Sequence, residues 1–162
     1  MDKLACEVLA LLKQDARLTP AAIAKTLGTT EAEVKKTVKS LEERGVILGY
    51  TTITDDSAID SDSVEALIEV KVNPMYGRGF DAIAEDIYKF DRVKSLYLMS
   101  GGYDLAVFVE GKNLREVAAF VSEKLSVMDK VLSTATHFIL KKYKIGGEMT
   151  VADENRRQPV TP

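Results

Sequence analysis

The chain has 162 residues, of which 46% are hydrophobic and 29% charged, and its formal net charge is −3. This length can bury one core or two small ones, and the acidic balance excludes a protein that coats nucleic acid through bulk positive charge alone. No apolar run approaches the roughly 18 residues that span a bilayer, and the N-terminus lacks a secretory signal pattern. We therefore expect a cytoplasmic protein without membrane contact, in which the single Cys6 is a small buried hydrophobe on an apolar helix face.

Two helical segments open the chain. Apolar residues recur at helical spacing in the first, which we expect to end near Gln14. The second is short. Thr19 is its predicted cap, Pro20 its first residue, and Gly28 the left-handed residue that closes it.

A third helical segment follows the short connection LGTT. Thr30 and Glu33 match a capping box at its start, and Gly45 marks its end. Two helices joined by so tight a turn, the second with lysines opposite its Val/Leu stripe, are the layout of a helix-turn-helix. A lysine face is as often only solvated surface, so this pattern alone leaves DNA binding open. The candidate DNA contacts are Thr30, Lys35, Lys36, Lys39 and Arg44.

The next segment, GVILGYTTIT, alternates and is rich in β-branched residues. It predicts a strand or wing beside the helices, which favours the DNA-binding interpretation. Glu31 and Glu33 oppose it, because carboxylates in the first turn of a recognition helix repel the DNA backbone. Both acids also suit a helix N-terminus, and a glutamate can accept a hydrogen bond from a cytosine amino group, so they either weaken DNA binding or filter its sequence.

An acidic, serine-rich stretch, TDDSAIDSDS, separates the two halves. It predicts a linker at residues 55–63 between a first domain of residues 1–54 and a second of residues 64–145. A metal site there is disfavoured, because the carboxylates lack the spacing and the glycine of an EF-hand. Residues 146–162 are polar and contain prolines, so we expect a loose tail.

The second half reads as strand, helix, strand, strand, helix, strand. A shift of 38 residues aligns FDRVKS, residues 90–95, with MDKVLS, residues 128–133, so the unit is doubled. The predicted fold is α+β, a ferredoxin-like βαββαβ sandwich with helices on one face of an antiparallel sheet. Leu67, Leu96 and Leu98 cannot all face those helices, so we expect the open face to pack against a second copy, giving at least a homodimer.

Residues 2–145 resemble the Lrp/AsnC family, the leucine-responsive or feast/famine transcription regulators. LEERGVILGYT is similar to the end of the family's DNA-binding half, MSGGYDLAV to its Gly-x-x-Asp turn, and TATHFIL to its Thr-x-Thr closing strand. The resemblance implies a winged helix-turn-helix joined to a ferredoxin-like sensing domain. It also implies dimers that often assemble to octamers, and an amino acid effector bound where sensing domains of neighbouring dimers meet. The chain departs from the family at Thr37, where an arginine is common, and at the acids Glu31 and Glu33.

The resemblance places an effector site at the turn. A free amino acid needs a carboxylate for its ammonium group and open amides for its carboxylate, which Asp104 beside two glycines can supply. The glycines alone fit a tight hairpin equally well, and threonines on the closing strand fit a role in sheet stability equally well. His137, on the opposite side of that strand, has no second ligand at metal or catalytic spacing. The candidate effector contacts are Gly101, Gly102, Tyr103, Asp104, Thr134 and Thr136.

Three functions are considered for a chain with this sequence. The leading one is a sequence-specific regulator that binds double-stranded DNA and responds to a small ligand, an amino acid by resemblance, without cofactor, metal or enzymatic activity. The alternative is a ligand-sensing and assembly protein of the same architecture with weak or no DNA binding, as Glu31, Glu33 and Thr37 suggest. The third, a tetrapyrrole decarboxylase on the same frame, would need cationic and histidine residues around its substrate, and the chain has one histidine.

Overall fold

The computed structural model describes residues 1–55, 59, 63–73 and 79–150. The chain divides into two compact units, Met1–Ile53 and Thr54–Pro162, each with its own hydrophobic core. Most of the predicted linker lies outside the described residues. Among the described residues, no helix is both long and apolar enough to cross a membrane.

The first unit consists of three helices, α1 (Lys3–Gln14), α2 (Pro20–Leu27) and α3 (Glu31–Glu43). Each helix is amphipathic and turns its apolar stripe towards the other two. The fully buried centre of this small core is made of Val8, Ile23, Ala24 and Val34.

The helix boundaries follow the predicted caps. Thr19 Oγ1 accepts a hydrogen bond from the Ala22 amide at the start of α2, and Gly28 ends that helix with φ of 66°. The capping box between Thr30 and Glu33 forms at the start of α3, and Gly45, with φ of 65°, follows its end. Two helix starts and two helix ends were therefore encoded locally.

Two expectations about the first unit are wrong. The described residues 45–55 form no strand, because a wing needs a neighbouring strand to pair with and the unit contains only helices. Apolar side chains of this segment are exposed, Leu48 at 94%. Cys6 is also exposed, since it lies two residues before Val8 and therefore about 200° around α1 from the core.

The second unit has the predicted order of elements. The elements are β1 (Val64–Val72), α4 (Asp81–Tyr88), β2 (Val93–Leu98), β3 (Leu105–Gly111), α5 (Leu114–Phe120) and β4 (Val131–Phe138). Five residues of π-helix, Val121–Leu125, continue α5. These four strands form one sheet in the order β2-β3-β1-β4, with every neighbouring pair antiparallel.

The internal repeat is confirmed by the geometry. β2 and β4 begin 38 residues apart, at Val93 and Val131. Each first strand residue donates its amide to a carbonyl three residues earlier, Val93 to Phe90 and Val131 to Met128, both at 2.9 Å. The same turn therefore leads from each helix into the following strand.

The sheet has one face covered by helices and one open face. Leu67 lies on the open face, as predicted, opposite Phe108 and His137 of the neighbouring strands. Leu96 and Leu98 do not, because the register pairs them with Val107 and Leu105, which face the helices. The prediction that the three leucines cannot all face the helices is therefore confirmed, with Leu67 as the one on the open face.

The helix register also differs in part from prediction. The helical spacing of apolar residues after Asn113 predicts that Leu114 faces the core, but Leu114 is 55% exposed, and Phe120 is buried in the core instead. In the tail, residues 146–149 are not loose: β5 (Lys144–Ile145) and β6 (Glu148–Met149) form a hairpin. Gly146 and Gly147 both have positive φ, which a tight two-residue hairpin turn requires. Residues 151–162 lie outside the described residues.

Candidate functional site

The start of α3 is held by a dense set of hydrogen bonds. Glu33 Oε2 accepts from Thr29 Oγ1 at 2.5 Å, from Thr30 Oγ1 at 2.8 Å and from the Thr30 amide at 3.1 Å. These bonds, the one from Thr29 first, hold the pKa of Glu33 below its ordinary value. Thr30, a candidate DNA contact, and Glu33, a candidate obstacle to DNA, are therefore both engaged in closing the helix end.

This capping box predicts an acid-sensitive first unit. A carboxyl whose pKa is lowered by folding stabilises the fold above its ordinary pKa of 4.5, and this contribution is lost as the pH falls through the folded value. We expect the thermal midpoint of the first unit to fall on acidification below about pH 4.5, and to fall less steeply in Glu33→Gln, which has no titratable carboxyl. Circular dichroism melts from pH 3 to 7 measure both. If the thermal midpoints of the wild type and of Glu33→Gln fall equally with pH, Glu33 is not the group that makes the first unit acid-sensitive.

The lysines of α3 differ in their surroundings. Lys35 Nζ lies 2.7 Å from Glu31 Oε1, and Lys39 Nζ lies 3.7 Å from Glu43 Oε1. Lys36 forms no ion pair with any side chain in the described part of the chain. Two of the three predicted lysine contacts are therefore already partnered within the helix.

Helical geometry places these lysines relative to the core. Lys36 and Lys39 are about 200° and 140° around α3 from the buried Val34, so both point away from the core. Arg44, the remaining candidate, is the C-terminal cap residue that follows α3, and its amide donates to the Ser40 carbonyl at 3.1 Å. The outward face is compatible with contact to a DNA groove.

A tyrosine that sequence reasoning missed ties the segment after α3 to that helix. The Tyr50 hydroxyl donates to Glu42 Oε1 at 3.0 Å. Burial, followed by this bond, raises the pKa of Tyr50. No periodicity links the two positions, so only the folded chain shows the pair.

The loop between β2 and β3 carries the predicted effector residues. It is closed by a hydrogen bond of 2.8 Å from the Met99 amide to the Asp104 carbonyl. The half-buried Asp104 also reaches across to β1: its amide donates to the Val70 carbonyl, and its Oδ2 accepts from the Val72 amide at 2.9 Å. Asp104 is thus a structural cap for the end of β1, with its Oδ1 accepting no hydrogen bond from described residues.

The two glycines of the loop are not explained by the fold. Neither Gly101 nor Gly102 has a left-handed backbone, and a Cβ on either would meet no atom within 4 Å. A tight two-residue hairpin would require a left-handed residue at this point, so that alternative lacks its physical basis here. Tyr103, the next residue, is half-buried.

The closing-strand threonines lie on the helix-covered side of the sheet. Thr134 is opposite Val70 and Thr136 opposite Ile68, both core residues. The Thr134 hydroxyl lies 3.3 Å from the Ser126 hydroxyl. Thr134 and Asp104 therefore flank the same end of β1, about 10 Å apart across two strand spacings, whereas Thr136 lies further from the loop.

His137 occupies the opposite face, as predicted. Its Nε2 lies 3.4 Å from Glu69 Oε1 on the neighbouring strand. Among the described residues, no three His, Cys, Asp or Glu side chains are grouped so that they could hold a metal ion.

A cleft that the sequence did not reveal adjoins the effector loop. It lies between α4 and β2 and has a volume of about 410 Å³, within the range of small-ligand pockets. Leu98 and Leu105, which lie on either side of the loop, form one end of it. Its other lining residues are both apolar and polar: Phe80, Asp81, Ala84, Tyr88, Val93, Lys94, Ser95 and Leu96.

Comparison with known proteins identifies the protein family to which each of the two units belongs. Residues 1–47 match the family described as winged helix-turn-helix DNA-binding, and residues 65–149 match the Lrp/AsnC ligand binding domain. The chain belongs to the Lrp/AsnC family. The predicted fold class, a helix-turn-helix domain with a ferredoxin-like domain, is thereby confirmed.

Relatives of this Lrp/AsnC chain align over nearly its full length. The HTH-type transcriptional regulator YugG of Bacillus subtilis is 46% identical over 158 residues, covering 96% of this chain and 95% of YugG. The HTH-type transcriptional regulator LrpA of Pyrococcus horikoshii is 32% identical over 137 residues, covering 85% of this chain and 94% of LrpA. The homologues are thus transcriptional regulators.

Solved structures show the same architecture. The crystal structure of MtbAldR matches with a TM-score of 0.75 at 25% identity, covering 89% of this chain and 97% of that one. A transcriptional regulator of Neisseria meningitidis, solved as a complex with L-Met, matches with a TM-score of 0.69 over 90% of this chain and 93% of that one. At 20% identity, the second likeness concerns the fold alone.

Proposed function

We propose that this Lrp/AsnC chain is a sequence-specific DNA-binding transcription regulator whose DNA binding responds to a small ligand, an amino acid. The observation that carries the proposal is the presence in one chain of both matched domains, a helix-turn-helix and a ligand-binding domain. DNA binding and ligand binding become linked when the ligand favours one assembly and that assembly fixes the spacing of paired recognition helices. The regulator acts in the cytoplasm.

The outward face of α3 is the proposed DNA-reading surface. Lys36 lies on this face without a carboxylate partner among the described residues, so its ammonium can contact DNA without first breaking an ion pair. The other proposed contacts are Thr30, Lys35, Lys39 and Arg44.

Replacing Lys36 tests this surface. We expect Lys36→Ala to weaken binding to every duplex and to lower the slope of log affinity against log salt by about 0.9, because one phosphate contact is lost. Lys13→Ala is the matched control, since Lys13 carries the same charge in the last turn of α1. Fluorescence anisotropy titrations at four salt concentrations measure both slopes. Equal slopes for the two variants would place the DNA contact elsewhere.

The loop Met99–Asp104 and the adjoining cleft are the proposed effector site. Asp104 supplies a carboxylate for an ammonium group, Gly101 and Gly102 leave backbone amides open, and the adjoining cleft, with its mixed apolar and polar lining, can receive a side chain. Tyr103, Thr134 and Thr136 complete the proposed set. The relative from Neisseria meningitidis, solved with L-Met, supports an amino acid as the ligand class.

The open face of the sheet is the proposed dimer interface. Leu67 and Phe108 lie opposite each other there, and Tyr97 packs against Phe108 with ring centroids 6.0 Å apart. Such a contiguous apolar surface is unfavourable in water and is stabilised by packing against a second copy. The dimers assemble further, up to octamers, with the effector bound between neighbouring dimers.

One experiment tests the whole proposal. Duplexes are selected by the purified protein from a random-sequence library, and binding to a selected duplex is then measured with each free amino acid. A selected duplex whose affinity changes with one amino acid supports the proposal. Failure to enrich any sequence, with ligand-dependent sedimentation, would instead establish the alternative, a sensing and assembly protein with weak or no DNA binding.

A further inference from the structure

We propose that Glu31 and Glu43 suppress binding to non-specific DNA by holding Lys35 and Lys39 in ion pairs along the recognition helix. This inference rests on the proposed function and names the residues that set its sequence discrimination. The residues from Glu31 to Glu43 carry four carboxylates against three ammonium groups, an unusual balance for a surface that faces phosphates.

The two ion pairs have the same construction. Each joins a lysine to a glutamate four residues away, Lys35 to Glu31 at 2.7 Å and Lys39 to Glu43 at 3.7 Å. All four side chains are at least half exposed, with Glu31 the least so at 50%. Exposed pairs of this kind contribute little to stability, so stability alone does not explain why both pairs lie on the proposed DNA-reading helix.

Non-specific binding depends on lysines that are available to phosphates. A lysine paired with a glutamate gains little from a phosphate, because the contact leaves a carboxylate unpaired beside a second negative charge. An operator can offset this loss where a cytosine amino group donates to the freed carboxylate. Random DNA offers such a group only by chance, so the pairs penalise it more than the operator.

Glu33 is not part of this device. Its carboxylate is already bonded to Thr29 and Thr30 in the capping box, so it holds no lysine. Lys36 lies between the two pairs and has no ion-pair partner among the described residues. The recognition helix therefore keeps one available lysine and two restrained ones.

The test compares charge removal inside and outside the recognition helix. Glu31→Gln and Glu43→Gln are measured against Glu7→Gln, which breaks the same kind of i,i+4 pair, Lys3–Glu7 at 3.6 Å, on α1. The probe is a random-sequence 40-base-pair duplex pool, titrated by fluorescence anisotropy at several salt concentrations. We expect each α3 variant to bind the pool about three- to tenfold more tightly and with a salt slope about 0.9 steeper, and Glu7→Gln to match the wild type.

A double-mutant cycle tests whether the carboxylate acts through its lysine. In a Lys39→Gln background, Glu43→Gln should no longer raise affinity for the pool. An equal gain with and without Lys39 would overturn the proposal, since the carboxylate would then act on phosphates directly. Equal behaviour of Glu31→Gln, Glu43→Gln and Glu7→Gln would also overturn it.

The failure of this inference can be distinguished from the failure of the proposed function. The duplex selected by the wild type provides the reference, and the affinity ratio of selected duplex to pool should fall in Glu31→Gln and Glu43→Gln. If the wild type enriches no duplex, the proposed DNA-binding function itself is wrong. If the wild type selects a duplex but both variants keep the same affinity ratio of selected duplex to pool, only the inference about Glu31 and Glu43 is wrong.

Discussion

Asp104→Asn should shift the response to the effector to much higher concentrations while leaving the sensing domain folded. Asp104 Oδ2 accepts a hydrogen bond from the Val72 amide at 2.9 Å, and the asparagine side chain still offers an oxygen to that amide, so we expect stability to fall by only about 1 kcal/mol, the difference between a charged and a neutral hydrogen bond. The charge that attracts an ammonium group is lost. Because a hydrogen bond to a charged group contributes about 1.5–3 kcal/mol, we expect effector affinity to fall by about ten- to a hundredfold. Sedimentation across an effector titration measures it.

Two further variants separate ligand binding from folding. Asp104→Ala removes the acceptor as well as the charge, so it should cost about 1–3 kcal/mol of unfolding free energy in addition to the response. Gly101→Ala adds a methyl group in open space, so stability should hold while the response weakens. A normal effector response in Asp104→Asn would remove the loop from the ligand site and leave Asp104 as the cap of β1.

Leu67→Glu should dissociate the proposed dimer. Leu67 lies on the open face of β1, opposite Phe108 and His137. Because His137 already lies 3.4 Å from the Glu69 carboxylate, a second carboxylate at position 67 would be buried between two packed sheets without a cationic partner of its own. Leaving one buried charge unpaired costs about 3–5 kcal/mol, so we expect the dimer dissociation constant to rise by at least about a hundredfold. Analytical ultracentrifugation over a concentration series measures it.

Leu114→Glu is the matched control for that substitution. Leu114 is a 55% exposed leucine in the first turn of α5, on the helix layer, where an acid also suits the helix N-terminus. It should leave the dimer intact. If both variants dissociate equally, or neither does, the interface does not lie on the open face, and the apolar side chains Tyr97 and Phe108 have another partner.

Elements whose signals are local could be predicted from the sequence. The capping box at Thr30 and Glu33 and the stop at Gly28 each depend on backbone groups within four residues, so the sequence specified them directly. The doubled βαβ pattern likewise gave the sandwich, because the period of the apolar residues changes with the type of element. The Lrp/AsnC resemblance was confirmed by the family matches over residues 1–47 and 65–149.

What failed depended on neighbours that are distant in the chain. The segment after α3 alternates like a strand but has no strand beside it in its unit, so propensity alone did not make a wing. The sequence also left open which strand leucines face the helices: the register of β2 on β3 turns Leu96 and Leu98 to them, and Leu67 remains on the open face.

The candidate site shows the same division. The sequence by itself determined the two domains, the lysine-bearing helix and an acidic residue beside two glycines in a loop between strands. Only the tertiary structure decided that Asp104 caps β1, that two lysines of α3 are already paired, and that a cleft adjoins the loop. The reason is that hydrogen bonds, ion pairs and cavities depend on distances between side chains, and those distances are set by packing.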